Sequence, residues 1–289
     1  MDAMTRIEQS LGVAVACAEA PGAPPGLGAA IKHAVFPGGA RVRPRLCLAV
    51  ARACGEEDPE VTDAAAAAIE LLHCASLVHD DLPCFDDATT RRGKPSVHCA
   101  FGERLAVLTG DALIVMAFET LGRAGQRAPA RLPQLLVTIS RSVGMPTGIV
   151  AGQAWECESG FSLAEYQRAK TGALFTAATM AGAVSAGSDP SPWRGLGDCL
   201  GEAYQVADDI RDVCGDAQEI GKPTGRDEAL GRPSAVGQVG LAGAVARLER
   251  LVAGALDAIP ACAGAPELRK LVLAEADRLR PRRLVRRVA

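Results

Sequence analysis

Residues 80–87 read Asp-Asp-Leu-Pro-Cys-Phe-Asp-Asp, so four carboxylates crowd eight positions directly after a long apolar run. Like charges this close repel unless solvent or a cation neutralises them, and an all-oxygen donor set suits a hard divalent ion such as Mg2+. A second cluster, Asp208-Asp209-Ile210-Arg211-Asp212, closes another apolar stretch that begins near Gly201. Asp208 and Asp212 stand four residues apart and share one helical face. Carboxylates on otherwise buried helices have few inexpensive solutions besides metal or basic partners, so the two clusters are expected to face each other across a cavity.

Mg2+ held by one or two carboxylates completes its shell with water and substrate phosphate oxygens, which makes a polyphosphate substrate the next inference. The cations are placed accordingly. Arg91-Arg92-Gly93-Lys94 follows the first cluster, and Gly38-Gly39-Ala40-Arg41-Val42-Arg43-Pro44 precedes a helix. Lys170-Thr171-Gly172 lies within another helix, and Lys222 sits in Gly221-Lys222-Pro223-Thr224-Gly225. The chain has only five lysines, and three of them fall in these short segments. Glycine-rich turns let backbone N–H groups approach phosphate, and helix N-termini favour anions.

The elements that must position these residues read as helices. Apolar residues recur at three- and four-residue steps through Ala- and Leu-rich stretches, and no alternating Val/Ile-rich runs appear. The pattern predicts helices over 4–19, 26–35, 44–54, 59–81, 104–123, 130–143, 145–157, 163–186, 191–214, 234–258 and 265–280, with Pro44 suited to a first turn. The breaks between them are too short for disordered linkers. The expectation is an all-α protein, a single domain over residues 1–289 built as one helical bundle around a central cavity.

Composition removes other classes. Hydrophobic residues at 48% and charged residues at 22% exclude a disordered or collagen-like chain. A net charge of −3 offers no basic field for nucleic acid, and aromatic residues at 3% leave few stacking platforms for single strands. Residues 269–289 are the exception, with eight Arg or Lys against Glu275 and Asp277, and this basic tail reads as solvated. Ten cysteines without a C-x-x-C pair or zinc-type spacing, and no secretory leader, read as reduced and mostly buried thiols of a cytoplasmic protein. The longest uncharged stretch, Thr171 to Ser188, is Ala, Gly, Thr and Ser rather than Leu or Ile, which predicts close helix packing and no transmembrane segment.

With these segments in place the sequence resembles the trans-polyprenyl diphosphate synthases, over residues 30 to 235. DDLPCFDD resembles the family's first aspartate-rich motif in its longer form, and DDIRD the second. FPGGARVRP, RRGKPSVH, GDAL, GQAWE, KTGALF, AYQVADD and GKPTG are similar to the remaining landmarks, in the family's order.

The resemblance implies head-to-tail prenyl transfer, in which an allylic diphosphate ionises, isopentenyl diphosphate attacks the cation, and a proton is lost to diphosphate. It implies that Asp80, Asp81, Asp86 and Asp208 hold three Mg2+ ions on the allylic diphosphate, with Arg91, Lys170 and Lys222 stabilising the departing charge. Thr171, Gln205 and Asp209 would contact the same substrate. Arg43, His73 and Arg92 would grip isopentenyl diphosphate, and a homodimer is implied. Where the family has Gly-Gly-Lys-Arg this chain has Ala40 in place of Lys, which predicts weaker isopentenyl diphosphate binding. Glu156 stands where Asp is common and keeps the charge, and Arg232 stands where Lys is common.

Product length is read from the helix that ends at Asp80. At ~1.5 Å per residue, positions four and five before Asp80 flank the growing chain within ~8 Å of the ions. These are Ser76 and Ala75, and farnesyl synthases of the family with the longer motif place an aromatic ring at the Ala75 position. The small Ala75 predicts growth to twenty carbons, stopped by Leu72 and Leu71 with Met116 and Phe118 from a neighbouring helix. Geranylgeranyl diphosphate is the expected product, feeding carotenoid or other isoprenoid synthesis, with farnesyl diphosphate the alternative. A class I terpene cyclase would need aromatic faces that this chain lacks. A non-catalytic partner subunit would have no use for two intact acidic clusters.

Overall fold

The computed structural model describes residues 1–36, 38–158, 162–214 and 234–279. The fold is all-α, with one short hairpin among the described residues, and the chain divides into two compact units.

The first unit comprises Met1–Arg52, Glu56–Ile139 and Ala181–Ser188. It runs α1 (Ala3–Val15), α2 (Pro25–Val35), α3 (Val42–Ala53) and α4 (Pro59–Asp80), then strands β1 (Thr90–Arg91) and β2 (Lys94–Pro95). These are followed by α5 (Val97–Phe101), α6 (Glu103–Gly125) and most of α7 (Leu132–Val143). Its axis is α4 packed along α6. Pro59 starts α4 at the position where a missing N–H costs nothing, and Ala64 to Ala68, all buried, combine the highest helix propensity with a thin helix face. Gly110 thins α6 in turn, because a Cβ there would lie 2.0 Å from Nε2 of His79. Arg6 of α1 ties this helix to the start of α4 through Glu56 at 2.8 and 3.0 Å and Asp63 at 2.8 Å.

The second unit comprises Ala53–Gly55, Ser140–Met180 and the chain from Asp189 onward. It holds α8 (Ile149–Trp155), α9 (Leu163–Gln167), a π-helical turn (Arg168–Gly172), α10 (Ala173–Ser185), α11 (Arg194–Cys214), α12 (Ala235–Asp257) and α13 (Ala265–Leu279), the end of α10 belonging to the first unit. Its core forms where Ala203, Val206, Ala207 and Ile210 of α11 meet Ala244, Leu248 and Val252 of α12 and Ala276 and Leu279 of α13.

The departures from the predicted helices have local causes. The helix expected over 145–157 begins only at Ile149, since Pro146 disfavours a helical Met145 and the turn runs to Gly148. The helix expected over 163–186 is interrupted by the π turn. Glycine lets neighbouring backbones press on that turn: a Cβ at Gly152 would lie 2.4 Å from the Lys170 nitrogen, and one at Gly201 would lie 2.6 Å from the Gly172 Cα. The hairpin and α5 carry no sequence signal because two- and five-residue elements are shorter than any detectable period. The thiols are all free, but only Cys47 and Cys74 are buried, which corrects the expectation of mostly buried cysteines. Cys54, Cys199, Cys214 and Cys262 are partly exposed and the other four exposed. The apolar stretch to Ser188 does pack closely, with Gly182 against the Cys47 carbonyl, where a Cβ would come within 2.4 Å. Among the described residues α4 and α6 are the two helices long and apolar enough to cross a membrane, and here they pack against each other.

Candidate active site

In the first unit α4 delivers its carboxylates at its C-terminal end, where the helix dipole disfavours negative charge and a cation is needed. The chain then folds back on itself. The Asp86 N–H donates to the Asp80 carbonyl at 2.9 Å, and the Ala88 N–H to the Asp81 carbonyl at 3.2 Å, so Asp86 returns beside the helix end it left. Arg92 and Gly93, with φ of +54° and +75°, form the two-residue turn of the hairpin, and this turn sends Arg91 back to Asp81. The Arg91 Nε donates to both Asp81 oxygens at 3.0 and 3.1 Å. Burial pushes the Asp81 carboxyl up and Arg91 draws it down, while burial works against the Arg91 charge and Asp81 outweighs it.

The three residues expected to grip isopentenyl diphosphate are gathered in the same unit. The Arg43 Nη1 lies 3.3 Å from His73 Nε2, and the Arg92 guanidinium lies over Gly39, where a Cβ would be only 3.0 Å away. His73 is held neutral, with its pKa well below the usual value, first by burial and then by the charges of Arg43, Arg92, Arg91 and Arg41. Leu72 and Ala75 are buried on α4, and the Ser76 hydroxyl, partly exposed, donates to the His73 carbonyl at 2.8 Å. Met116, on α6, is buried as well, and Phe118 partly so.

In the second unit the acidic cluster again sits in the last turns of its helix, α11. The side chains divide in role. Asp208 is about half exposed and meets Arg211 at 3.2 Å. Asp209 is buried and accepts from Gln205 Nε2 at 2.9 Å, Gln167 Nε2 at 3.5 Å and the Ala235 N–H at 2.7 Å. The Thr171 hydroxyl donates to the Gln205 side-chain Oε1 at 2.8 Å, so the π turn, α11 and the start of α12 share one hydrogen-bonded chain. Lys170 pairs with Glu156, which also accepts from the Tyr166 hydroxyl. Lys222, Arg232 and the tail from 280 lie outside the described residues.

Among the described residues no three His, Cys, Asp or Glu side chains converge to enclose a metal. Mg2+ does not require such a cage when one or two carboxylates and substrate oxygens complete its shell. Two carboxylates escaped the sequence reading, Glu8 and Glu70, and both accept from Arg41, which the sequence offers only as one of the phosphate-facing cations. Glu70 carried a signal, being the one carboxylate between Ala64 and Val78 in an otherwise apolar helix.

The polyprenyl synthetase family model matches residues 24–254. The chain belongs to the polyprenyl synthetase family. Among polyprenyl synthetases it is 53% identical over 283 residues to the geranylgeranyl diphosphate synthase of Cereibacter sphaeroides, covering 98% of both chains. It is 50% identical over 267 residues to that of Rhodobacter capsulatus, covering 92% of both. The geranyltransferase of Helicobacter pylori, solved with magnesium and isoprenyl diphosphate, superposes with a TM-score of 0.80 at 30% identity, covering 96% of this chain and 98% of that one. An FPP/GFPP synthase from Zymomonas mobilis gives 0.79 at 30% identity, covering 94% and 98%.

Proposed function

We propose that the chain is a trans-prenyltransferase that condenses isopentenyl diphosphate head-to-tail with an allylic diphosphate (dimethylallyl, geranyl or farnesyl) and releases all-trans geranylgeranyl diphosphate. The observation that carries this reading is the likeness over 98% of both chains to the Cereibacter sphaeroides geranylgeranyl diphosphate synthase.

Asp80, Asp81, Asp86 and Asp208 are the residues that would hold Mg2+, three ions in all. The fit rests on hard carboxylate oxygens presented at two helix C-termini and on the fold-back that sets Asp86 beside Asp80. Mg2+ supplies positive charge to a departing diphosphate. Arg91 and Lys170, joined by Lys222, stabilise the same charge as the allylic C–O bond breaks. Each of the two described cations rests on a carboxylate here, Arg91 on Asp81 and Lys170 on Glu156, which keeps it in place until a stronger anion arrives. Thr171, Gln205 and Asp209 orient the allylic substrate through their hydrogen-bonded chain. Arg43, His73 and Arg92 hold isopentenyl diphosphate. Its double bond attacks the allylic cation to form the new carbon–carbon bond, and the proton lost from the adduct passes to the released diphosphate.

The length reading rests on Ala75 and Ser76 leaving room for the tail and on Leu72 closing it. The match from 24 to 254 runs through both units, which supports treating 1–289 as one functional domain. A homodimer is supported by the exposed apolar face of α6, with Val107, Leu108 and Val115, and by Val137 of α7. The setting proposed is the cytoplasm, with the product supplying carotenoid or other isoprenoid synthesis.

The test is to incubate the purified chain with labelled isopentenyl diphosphate, each allylic starter and Mg2+. Linear prenyl diphosphates are expected. No product would return the partner-subunit reading, and cyclic hydrocarbon the cyclase reading.

A further inference from the structure

Three non-glycine residues of the first unit hold left-handed backbones, Arg41 with φ +48°, Asp87 with φ +45° and Arg92 with φ +54°, and the side chains of the two arginines approach one buried carboxylate, Glu70. Such conformations persist only where the surroundings over-determine them, and they concentrate at functional sites. The two arginines are held very differently. Arg41 is 2% exposed, its side chain wholly covered, and it is held on three sides: its Nη1 donates to Glu70 at 2.7 Å, its Nε to Glu8 of α1 at 2.8 Å, and its Nη2 to the Val35 carbonyl at 2.9 Å. No donor face is left for a substrate. Arg92 stands 3.9 Å from the same Glu70 oxygen, beyond hydrogen-bonding distance, and keeps a quarter of its side chain open.

The glycine pair fixes this arrangement. A Cβ at Gly38 would lie 2.6 Å from the Arg41 guanidinium carbon, and one at Gly39 would lie 3.0 Å from that of Arg92. The loop therefore lies against both guanidinium groups, and Arg43, whose Nη1 meets His73, follows four residues after Gly39.

We propose that Arg41, anchored by Glu8, is a positioning residue that occupies Glu70 and thereby leaves Arg92 free to bind the isopentenyl diphosphate. Glu70 is buried beside two cations, and whichever arginine satisfies it is lost to the substrate. Arg41 takes that share, and its guanidinium, lying where a Gly38 Cβ would clash, holds the Gly38-Gly39 loop at the height that aims Arg43. Without Arg41, Glu70 draws Arg92 inward. The inference rests on the function proposed above.

The test compares Arg41→Gln with the double variant Arg41→Gln/Glu70→Gln. The single change is expected to raise KM for isopentenyl diphosphate about tenfold or more, the scale of one lost charged hydrogen bond, with KM for the allylic substrate and kcat at saturation little changed. The double variant removes the carboxylate that captures Arg92 and is expected to return that KM to within about threefold of the parent. A purely structural role gives no such rescue. Gly38→Ala, whose methyl displaces the Arg41 guanidinium while leaving every charge in place, is expected to reproduce the single variant and serves if Arg41→Gln does not fold. An unchanged isopentenyl diphosphate KM, equal rises for both substrates, or no recovery in the double variant overturns the proposal. Failure of the parent chain to turn over would instead overturn the function itself, and this inference with it.

Discussion

Arg91 and Asp81 hold each other in a fork, with Nε at 3.0 and 3.1 Å from the two carboxylate oxygens, at the C-terminal end of α4 where a buried acid is least welcome. Removing Arg91 strands that carboxylate, and breaking such a pair by one partner costs about 3–5 kcal/mol when both are buried, less here because Arg91 is 30% exposed. Arg91→Ala is therefore expected to lower the melting temperature measurably, and Asp81→Asn on top of it to recover part of the loss. Additive effects in this double-mutant cycle would contradict the coupling.

The neighbouring carboxylates Asp208 and Asp209 of the second cluster are expected to behave differently. Asp80→Ala and Asp208→Ala each remove a proposed metal donor, and turnover at saturating Mg2+ should fall by about 100-fold or more, the scale of a lost electrostatic contact to a developing charge. Asp209→Asn should instead cost folding stability, because its carboxylate caps the Ala235 N–H. Near-normal turnover in either alanine variant would reject the metal assignment.

His73 gives the stability profile a definite sign. Burial and four arginines depress its pKa well below 6.5, so as pH falls below about 6.5 the unfolded chain binds a proton that the folded chain refuses. This group therefore lowers stability on the acid side, until pH reaches the depressed folded value, and adds no slope above 6.5. Melting temperatures recorded from neutral pH downward should fall less steeply in His73→Gln than in the parent. Parallel curves would contradict the neutral assignment.

Ala40 is exposed beside the arginine-bearing loop, so a longer side chain has room there. Ala40→Lys should lower KM for isopentenyl diphosphate, since a charged hydrogen bond is worth about 1.5–3 kcal/mol. An unchanged or higher value, with the allylic KM unaltered, would show that the lost cation has no place in this pocket.

Most of the architecture could be read from residue periodicity, because α4, α6, α11 and α12 are long enough for their buried faces to repeat several times. The acidic clusters were readable for a related reason: charge without nearby compensation in an apolar stretch has few explanations. What stayed hidden was short or distant. The Arg92-Gly93 turn gives no periodic signal, yet it decides that Arg91 meets Asp81. The π turn at Arg168–Gly172 follows from close approach by Gly152 and Gly201, neither adjacent to it in sequence. Arg41 looked like one more phosphate-binding cation, and only its contacts with Glu8 and Glu70 reveal that its charge is already committed.

Product length tests the account most directly, because it depends jointly on the reaction, the metal end of α4 and the small Ala75 one turn before it. The measurement is chromatography of the dephosphorylated products from the parent chain and from Ala75→Tyr, with isopentenyl diphosphate and dimethylallyl diphosphate in excess. The account predicts geranylgeraniol from the parent and a shift to farnesol in the variant; farnesol as the main parent product, or an unchanged distribution in Ala75→Tyr, would contradict it.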